Sequence, residues 1–406
     1  MHRVILFSTA CIFVTIASFF QVLPIATSEF IQKTQSLTIS HIAILSSFFF
    51  ISYGILQIPC GIILDKFGVR LILPISLFIA TLCCILYWLN ITPLTLGISR
   101  ALLGLGSAVS YIAAIYIAIQ FFPIKYLPLL IGILESISTI GDILATKLYK
   151  IYLNTVGWNN SNATITFICA LLCLISSILS LKKQAYNSTY RSNNKTASQI
   201  FSEIINTFKN NTFLGVIIYS FFTWLYMMSF AGYWGKSYFM HTHNLSELES
   251  LSIIQYFWIG FLVASLIVGP ISAKLNTKRP IILLLSFMGT IMFLVMGLPI
   301  LFNYYTLISM AIIIGISASG IVIAFAMIAD IIPQSSHGTA MGINNTAMIL
   351  GAAIGQSLFG YILLHYDLGK YFSINIDTHY YTALLIFPIS AIFALIGIAL
   401  STKGLK

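Results

Sequence analysis

A helix needs about 20 consecutive, mostly apolar residues to cross the hydrocarbon of a bilayer, and this sequence supplies such runs repeatedly, separated by short polar breaks. They cover Val4–Thr27, His41–Leu64, Leu71–Leu89, Leu94–Gln120, Leu127–Leu148 and Ala163–Leu181, and then Phe213–Gly235, Leu251–Ser272, Pro280–Ile300, Tyr305–Asp330, Gly338–Leu364 and Tyr381–Leu400. In lipid every backbone polar group must be satisfied internally, which a helix does. The expectation is an all-α, polytopic membrane protein with twelve transmembrane helices. With 59% apolar and only 7% charged residues, a soluble domain is excluded, because its surface needs roughly a quarter of its residues charged.

The N-terminus, Met-His-Arg before an apolar run, has the outline of a signal peptide. Its run is long enough to span and no Ala-x-Ala site follows, so it is expected to stay as the first helix. The net charge of +10 does not indicate nucleic-acid binding. Most of the basic residues, among them Arg3, Lys66, Arg70, Lys125, Lys182, Lys183, Lys274, Lys278, Arg279 and Lys403, fall on the side of the membrane that carries both termini. Lys33, Lys147, Lys150, Lys236 and Lys370 fall on the other. The positive-inside rule then makes both termini cytoplasmic. The six cysteines lie inside apolar runs without a Cys-x-x-Cys pair and carry no redox or zinc signal.

One long polar connection, rich in Lys, Asn, Ser and Thr, divides the spans six from six. The expected organisation is an N-terminal six-helix bundle over 1–181, a cytoplasmic linker over 182–210 with an interfacial helix near Gln199–Phe208, and a C-terminal bundle over 211–406. The halves align with a nearly constant offset. Gly61–Arg70 lies over Gly269–Lys278, Gly104–Ala108 over Gly315–Ser319, Phe121–Pro123 over Ile331–Pro333, and Gly132 over Gly342. Such duplication is common in transporter folds.

The segment GIILDKFGVR between the second and third spans resembles the signature of the major facilitator superfamily. Gly61, Asp65, Lys66, Gly68 and Arg70 match, and Val69 stands where the family has a basic residue. Gly61 permits close packing, Gly68 a tight reversal, and Asp65 can accept from N–H groups at a neighbouring helix N-terminus. The resemblance implies a conformational latch against the eleventh helix, near Gly338; an ordinary charged turn is the alternative. The second copy has Ala273 in place of Asp65.

In the fourth span, RALLGLGSA resembles the superfamily's Arg-x-x-x-Gly-x-Gly helix, whose arginine is associated with proton coupling. Arg100 is an intramembrane cation, and so needs a partner. Counted from the outer helix ends, Arg100 and Asp142 both sit about 9 Å deep, and an Arg100–Asp142 pair is expected. Glu135 lies one heptad before Asp142 on the same helix face, near mid-membrane, where a carboxyl in a dry site can carry a coupling proton. Arg100, Glu135 and Asp142 are the candidate coupling cluster, or alternatively a static cluster that fixes helix packing. The offset puts Met310, Asn345 and Ala352 opposite them, so this charge chemistry belongs to the first half.

The fifth helix, GILESISTIGDILATKL, lacks the Gly-Pro-x-x-Gly-Gly pattern of the superfamily's drug antiporters. Other polar or amphipathic groups inside spans, Gln21, Tyr53, Gln57, Tyr111, Trp224, Tyr226, Gln255, Asn344, Asn345 and Gln356, are candidates for solute contact as much as for helix packing. Over the first 180 or so residues, QVLPIAT, SSFFFISYGILQIPCGIILDKFG, SRALLGLGSAVSYIAAI and FFPIKYLPLLIGI are similar to the phagosomal-transporter family of intracellular bacteria. That resemblance implies a secondary active transporter in the bacterial inner membrane, working as a monomer by alternating access. It would move an amino acid or related metabolite, with proton-coupled import expected. A siderophore or polycarboxylate carrier, importing or exporting, is the alternative, and a membrane-embedded enzyme the remote one, since His241, His243, His365 and His379 show no catalytic spacing. No metal, cofactor, nucleotide or nucleic-acid motif is present.

Overall fold

The computed structural model describes residues 2–67, 69–89, 92–121, 127–181, 208–275, 278–332, 337–366 and 379–401. Among these the secondary structure is helical throughout. The first half comprises α1 (His2–Val22), α2 (Pro24–Gln35), α3 (Ile39–Phe67), α4 (Val69–Leu89), α5 (Pro93–Phe121), α6 (Leu127–Ile143) and α7 (Tyr149–Leu181). The second comprises α8 (Asn211–Ser229), α9 (Gly235–Thr242), α10 (Glu247–Leu275), α11 (Arg279–Met296), α12 (Tyr304–Ala318), α13 (Gly320–Ile331), α14 (His337–His365), α15 (His379–Leu384) and α16 (Ile386–Leu400). Single wide turns, Leu144–Leu148 and Phe230–Trp234, join α6 to α7 and α8 to α9. Side-chain oxygens of Asn210 and Asn303 cap α8 and α12 by accepting from backbone N–H groups of their first turns.

Eleven stretches are long and apolar enough to span a membrane, and one of them, Gly132–Ile178, has 47 residues. As one helix it would be about 70 Å long, more than twice the hydrocarbon thickness. It is two spans. Gly157 has φ 79° and ψ 172°, a conformation that glycine adopts without a Cβ clash. The Tyr149 hydroxyl donates to Ser161 at 3.4 Å and Tyr152 meets Thr164 at 2.8 Å. Residues twelve apart in a continuous helix are about 18 Å apart along the axis, so the chain turns back at Gly157. Among the described residues this makes twelve crossings. The fifth and sixth spans therefore run past the expected ends at Leu148 and Ala163, because the polar stretch between them is helical and not a loop.

The two halves repeat each other at their closest contacts. A β-carbon at Gly104 in α5 would stand 2.2 Å from the Phe49 carbonyl oxygen in α3, and one at Gly315 in α12 would stand 2.1 Å from that of Phe257 in α10. A second pair, Gly141 against Thr15 and Gly351 against Phe221, shows the same approach at 2.0 and 2.3 Å. Only glycine lets the backbones come so near. Within the first half α3 packs on α5, α4 on α5 and α7, and α1 on α5 and α6; within the second α8 packs on α14 and α16, α10 on α12, and α11 on α16 and α12. The halves meet mainly along α3 with α14 and α6 with α10. Of the expected linker, only residues 208–210 fall among the described residues.

Candidate functional site

Between the halves lies a narrow cavity. The first half contributes Ser18 and Gln21 from α1, Tyr53 from α3, Tyr111 from α5, and Glu135, Ser138, Thr139 and Asp142 from α6. The second contributes Trp224 and Met228 from α8, Phe261 from α10, and Asn345, Met348 and Ile349 from α14. Glu135 and Asp142, two helical turns apart, point to one face of α6 as the heptad spacing requires. The Tyr111 hydroxyl donates to Glu135 Oε1 at 2.7 Å. Ser18 and Ser138 share a 2.5 Å hydroxyl contact, which fixes α1 on α6.

Four buried polar atoms on the cavity wall have no protein partner: Ser110 Oγ, Asp142 Oδ1, Trp224 Nε1 and Asn345 Nδ2. Each unmet group costs roughly 1–3 kcal/mol. The wall therefore leaves open a carboxylate acceptor and a hydroxyl on the first half and two donors on the second.

Arg100 is not part of this wall, which corrects the expected Arg100–Asp142 pair. The guanidinium is 1% exposed and turned away: one terminal nitrogen donates to the Phe20 carbonyl at 2.5 Å, the other to that of Ser46 at 3.5 Å, and its carbon lies 4.8 Å from the centre of the Phe49 ring. Equal depth in two helices does not make two side chains adjacent. Arg100 is on the face of α5 toward α1 and α3, whereas Asp142 faces the cavity.

Of the other candidates, Gln21, Tyr53, Tyr111, Trp224 and Asn345 line the cavity. The rest have other places. Gln57 donates to the Ala108 carbonyl at 3.4 Å, Gln356 to that of Met228 at 3.4 Å, and Asn344 to the Met348 sulfur at 3.5 Å. Tyr226 packs edge-on against Phe293, and Gln255 is half-buried on α10, off the cavity wall. The side chains of Gly61, Asp65, Lys66 and Arg70, and all of Gly68, fall outside the described residues.

A second charged assembly was not foreseen. At the end of the bundle opposite the termini, Lys150 binds Glu29 at 3.0 Å and Glu247 at 2.9 Å, and Glu247 also binds Lys236 at 3.1 Å. Lys236 reaches Ser28 at 3.1 Å, Lys33 pairs with Glu29 at 2.7 Å, and Lys147 donates to Ser252 at 2.8 Å. Glu29, Lys147 and Lys150 belong to the first half, Lys236, Glu247 and Ser252 to the second, so this chain ties the halves shut at that end. The Tyr233 hydroxyl adds a 2.8 Å bond to the Ile39 carbonyl. The Lys150 and Lys236 side chains are only 5% and 4% exposed, and buried cations of this kind need carboxylate partners. Hydrogen bonds from Lys33 and Lys150 and the charge of Lys150 hold the Glu29 carboxyl well below the usual carboxylate range against partial burial. In the sequence Lys236 stands just past the expected end of a span at Gly235, and its partners lie 11 and 208 residues away.

The sequence profile described as the Major Facilitator Superfamily matches residues 6–356. Among curated proteins, the chain is 24% identical over 361 residues to an uncharacterized transporter, YybO, of Bacillus subtilis (strain 168), covering 82% of this chain and 81% of that one. It is 26% identical over 223 residues to a probable L-galactonate transporter of Escherichia coli (strain K12), covering 51% and 49%. Among solved structures, a D-xylose–proton symporter superposes with a TM-score of 0.76 at 13% identity, covering 97% of each chain. A bacterial homolog of the human lysosomal transporter Spinster, in an inward-facing and occupied conformation, gives 0.71 at 15% identity over 98% of this chain and 96% of that one.

Proposed function

This chain belongs to the major facilitator superfamily, and from that premise we propose that it is a proton-coupled importer of an amino acid or closely related zwitterionic metabolite, working by alternating access. The observation that carries the reading is the division of unpartnered groups in the cavity: the Asp142 Oδ1 acceptor and the Ser110 hydroxyl on the first half, and two donors, Trp224 Nε1 and Asn345 Nδ2, on the second. A solute with an ammonium group at one end and a carboxylate at the other completes both walls at once. It thereby rewards the approach of the two halves, which is what coupling to a closing motion requires. Glu135, held by Tyr111 and open to the same space, is the proton carrier in this scheme.

In this reading 1–181 and 211–406 rock as units about the cavity, joined by 182–210, in a bacterial inner membrane with both termini in the cytoplasm; one copy of the chain suffices. The Lys150–Glu247–Lys236 chain then closes the periplasmic mouth. A polyanionic siderophore or polycarboxylate is disfavoured, since it would meet two carboxylates and no Lys or Arg on the described cavity wall. A sugar acid is the second reading. The relative named as a probable L-galactonate transporter points to it, and a single carboxylate with several hydroxyls would suit Trp224, Asn345, Ser18 and Ser138 if a cavity carboxyl is protonated.

The test is proton movement in liposomes holding the purified protein and an internal pH dye. Gradients of single amino acids are expected to acidify the lumen, and a protonophore to abolish accumulation. Acidification by L-galactonate or citrate alone would replace the first reading, and accumulation indifferent to the protonophore would remove proton coupling.

A further inference from the structure

The arrangement around Arg100 gives it a task separate from the cavity. Pro24 has no backbone N–H, so the carbonyl four residues earlier, that of Phe20, loses the hydrogen bond that a continuous helix would give it. In lipid such an orphan must be satisfied by a neighbour. The group that does so is the Arg100 guanidinium, at 2.5 Å. The same side chain reaches the Ser46 carbonyl and lies over the Phe49 ring. One residue of α5 therefore joins α3 to the point where α1 gives way to α2.

The buried charge is compensated in the same place. No carboxylate stands within ion-pair distance of Arg100 among the described residues. Its nearest charges are the carbonyl ends of the last turn of α1, where the helix dipole is negative, and the face of an aromatic ring.

The joint matters because of what lies beyond it. Helix α2 carries Thr27, which meets the Tyr87 hydroxyl at 3.2 Å, Ser28, which receives Lys236, and Glu29, which receives Lys150 and Lys33. A change in the angle of α2 moves all three. We propose that Arg100 is a positioning residue: by capping the carbonyl that Pro24 leaves open, it sets the angle of α2 and so places Ser28 and Glu29 on the lysines that close the bundle opposite the termini. The fork of the guanidinium suits this task better than an ammonium, since it serves two carbonyls and a ring simultaneously.

The proposal makes a specific demand: the need for Arg100 should depend on residue 24. Alanine there restores a donor for the Phe20 carbonyl. Hydrogen–deuterium exchange on the full chain in nanodiscs reads the result without any solute, so its outcome is separate from that of the transport reading. Arg100→Gln is expected to speed exchange of the α2 amides about tenfold, and Pro24→Ala/Arg100→Gln to bring them within about threefold of Pro24→Ala alone. Should the single Gln variant not accumulate, Arg100→Lys, alone and with Pro24→Ala, carries the same comparison. Equal exchange in wild type and the Arg100 variants, or equal acceleration with Pro and with Ala at position 24, would overturn the proposal. So would a shift in the pH profile of proton uptake by Arg100→Gln that Pro24→Ala leaves uncorrected, since that marks a role in the coupling itself.

Discussion

Replacing Glu247 by glutamine tests the ionic closure at its centre. This carboxylate is shared by two lysines, Lys150 at 2.9 Å and Lys236 at 3.1 Å, and is itself 17% exposed. After the change Lys150 keeps Glu29, but Lys236 keeps only the Ser28 hydroxyl. Removing one partner of a fully buried ion pair costs about 3–5 kcal/mol. The partial exposure of Glu247 and the amide oxygen that glutamine retains reduce this to about 2–3 kcal/mol for the closed state. At about 1.4 kcal/mol per factor of ten, the ratio of closed to open molecules should fall roughly 30- to 140-fold. Spin labels at the exposed positions Thr34 and Leu248, one on each half, would report this as a longer-distance population in a pulsed dipolar measurement. Glu247→Lys, which turns two attractions into repulsions, should push the shift further. Glu249→Gln is the control, because Glu249 bonds only the N–H and hydroxyl of Ser246 at the start of its own helix. If both Glu247 variants leave the distance distribution of the wild type intact, the ion chain does not hold the mouth shut.

Glu135→Gln should cut solute-driven proton uptake at least 100-fold in liposomes while solute counterflow without a proton gradient survives; loss of both would make Glu135 structural. Trp224→Phe keeps the ring and removes the Nε1 donor, so KM for the solute should rise about tenfold, the value of a hydrogen bond to a charged group, and an unchanged KM would remove Trp224 from the site. Gly315→Ala should lower the apparent melting temperature of the purified protein by several degrees, an overpacking cost of about 1–3 kcal/mol, whereas Gly342→Ala, whose β-carbon would have nothing within 4 Å, should not. The closure should be insensitive to pH between 5 and 8. Because the Glu29 carboxyl is held below its usual range, its contribution is complete above the ordinary glutamate value of about 4.3 and is lost only as pH falls through the lower folded value. Burial also pushes the His243 imidazole, near the same end, down to about 4, which keeps it neutral across that range; a mouth that opens between pH 7 and pH 5.5 in the spin-label measurement would contradict this.

The readable parts of the sequence were those governed by local rules. Apolar run length gave the helices, and the glycine offset gave the relation between halves, because Gly104 and Gly315 each lie against a carbonyl of the facing helix. Heptad spacing placed Glu135 and Asp142 on one face of α6. Azimuth was the point of failure. Depth along a helix follows from counting, but the direction in which Arg100 points depends on which neighbours surround α5, and these were α1 and α3. The reversal at Gly157 was hidden because the residues on either side of it, Asn154, Asn159, Asn160, Ser161 and Asn162, have the composition of a loop but helical backbone. The ion chain joins four separate segments, and nothing in any one of them announces the others.

The reversal at Gly157 has a further consequence. The turn falls within α7, and the residues past Gly157 present an apolar outer face, with Phe167, Leu174 and Ile178 each at least 60% exposed, while those before it lead back through the wide turn at Leu144–Leu148 to α6, which carries Glu135 and Asp142 on the cavity wall. A bilayer too thin or too thick for the span after Gly157 would tilt it, and the tilt would pass through the reversal and the Leu144–Leu148 turn toward the carboxylates of α6. The thickness of the surrounding lipid thus becomes a variable of the transport cycle: reconstitution in lipids of graded chain length should change turnover in this protein through α6.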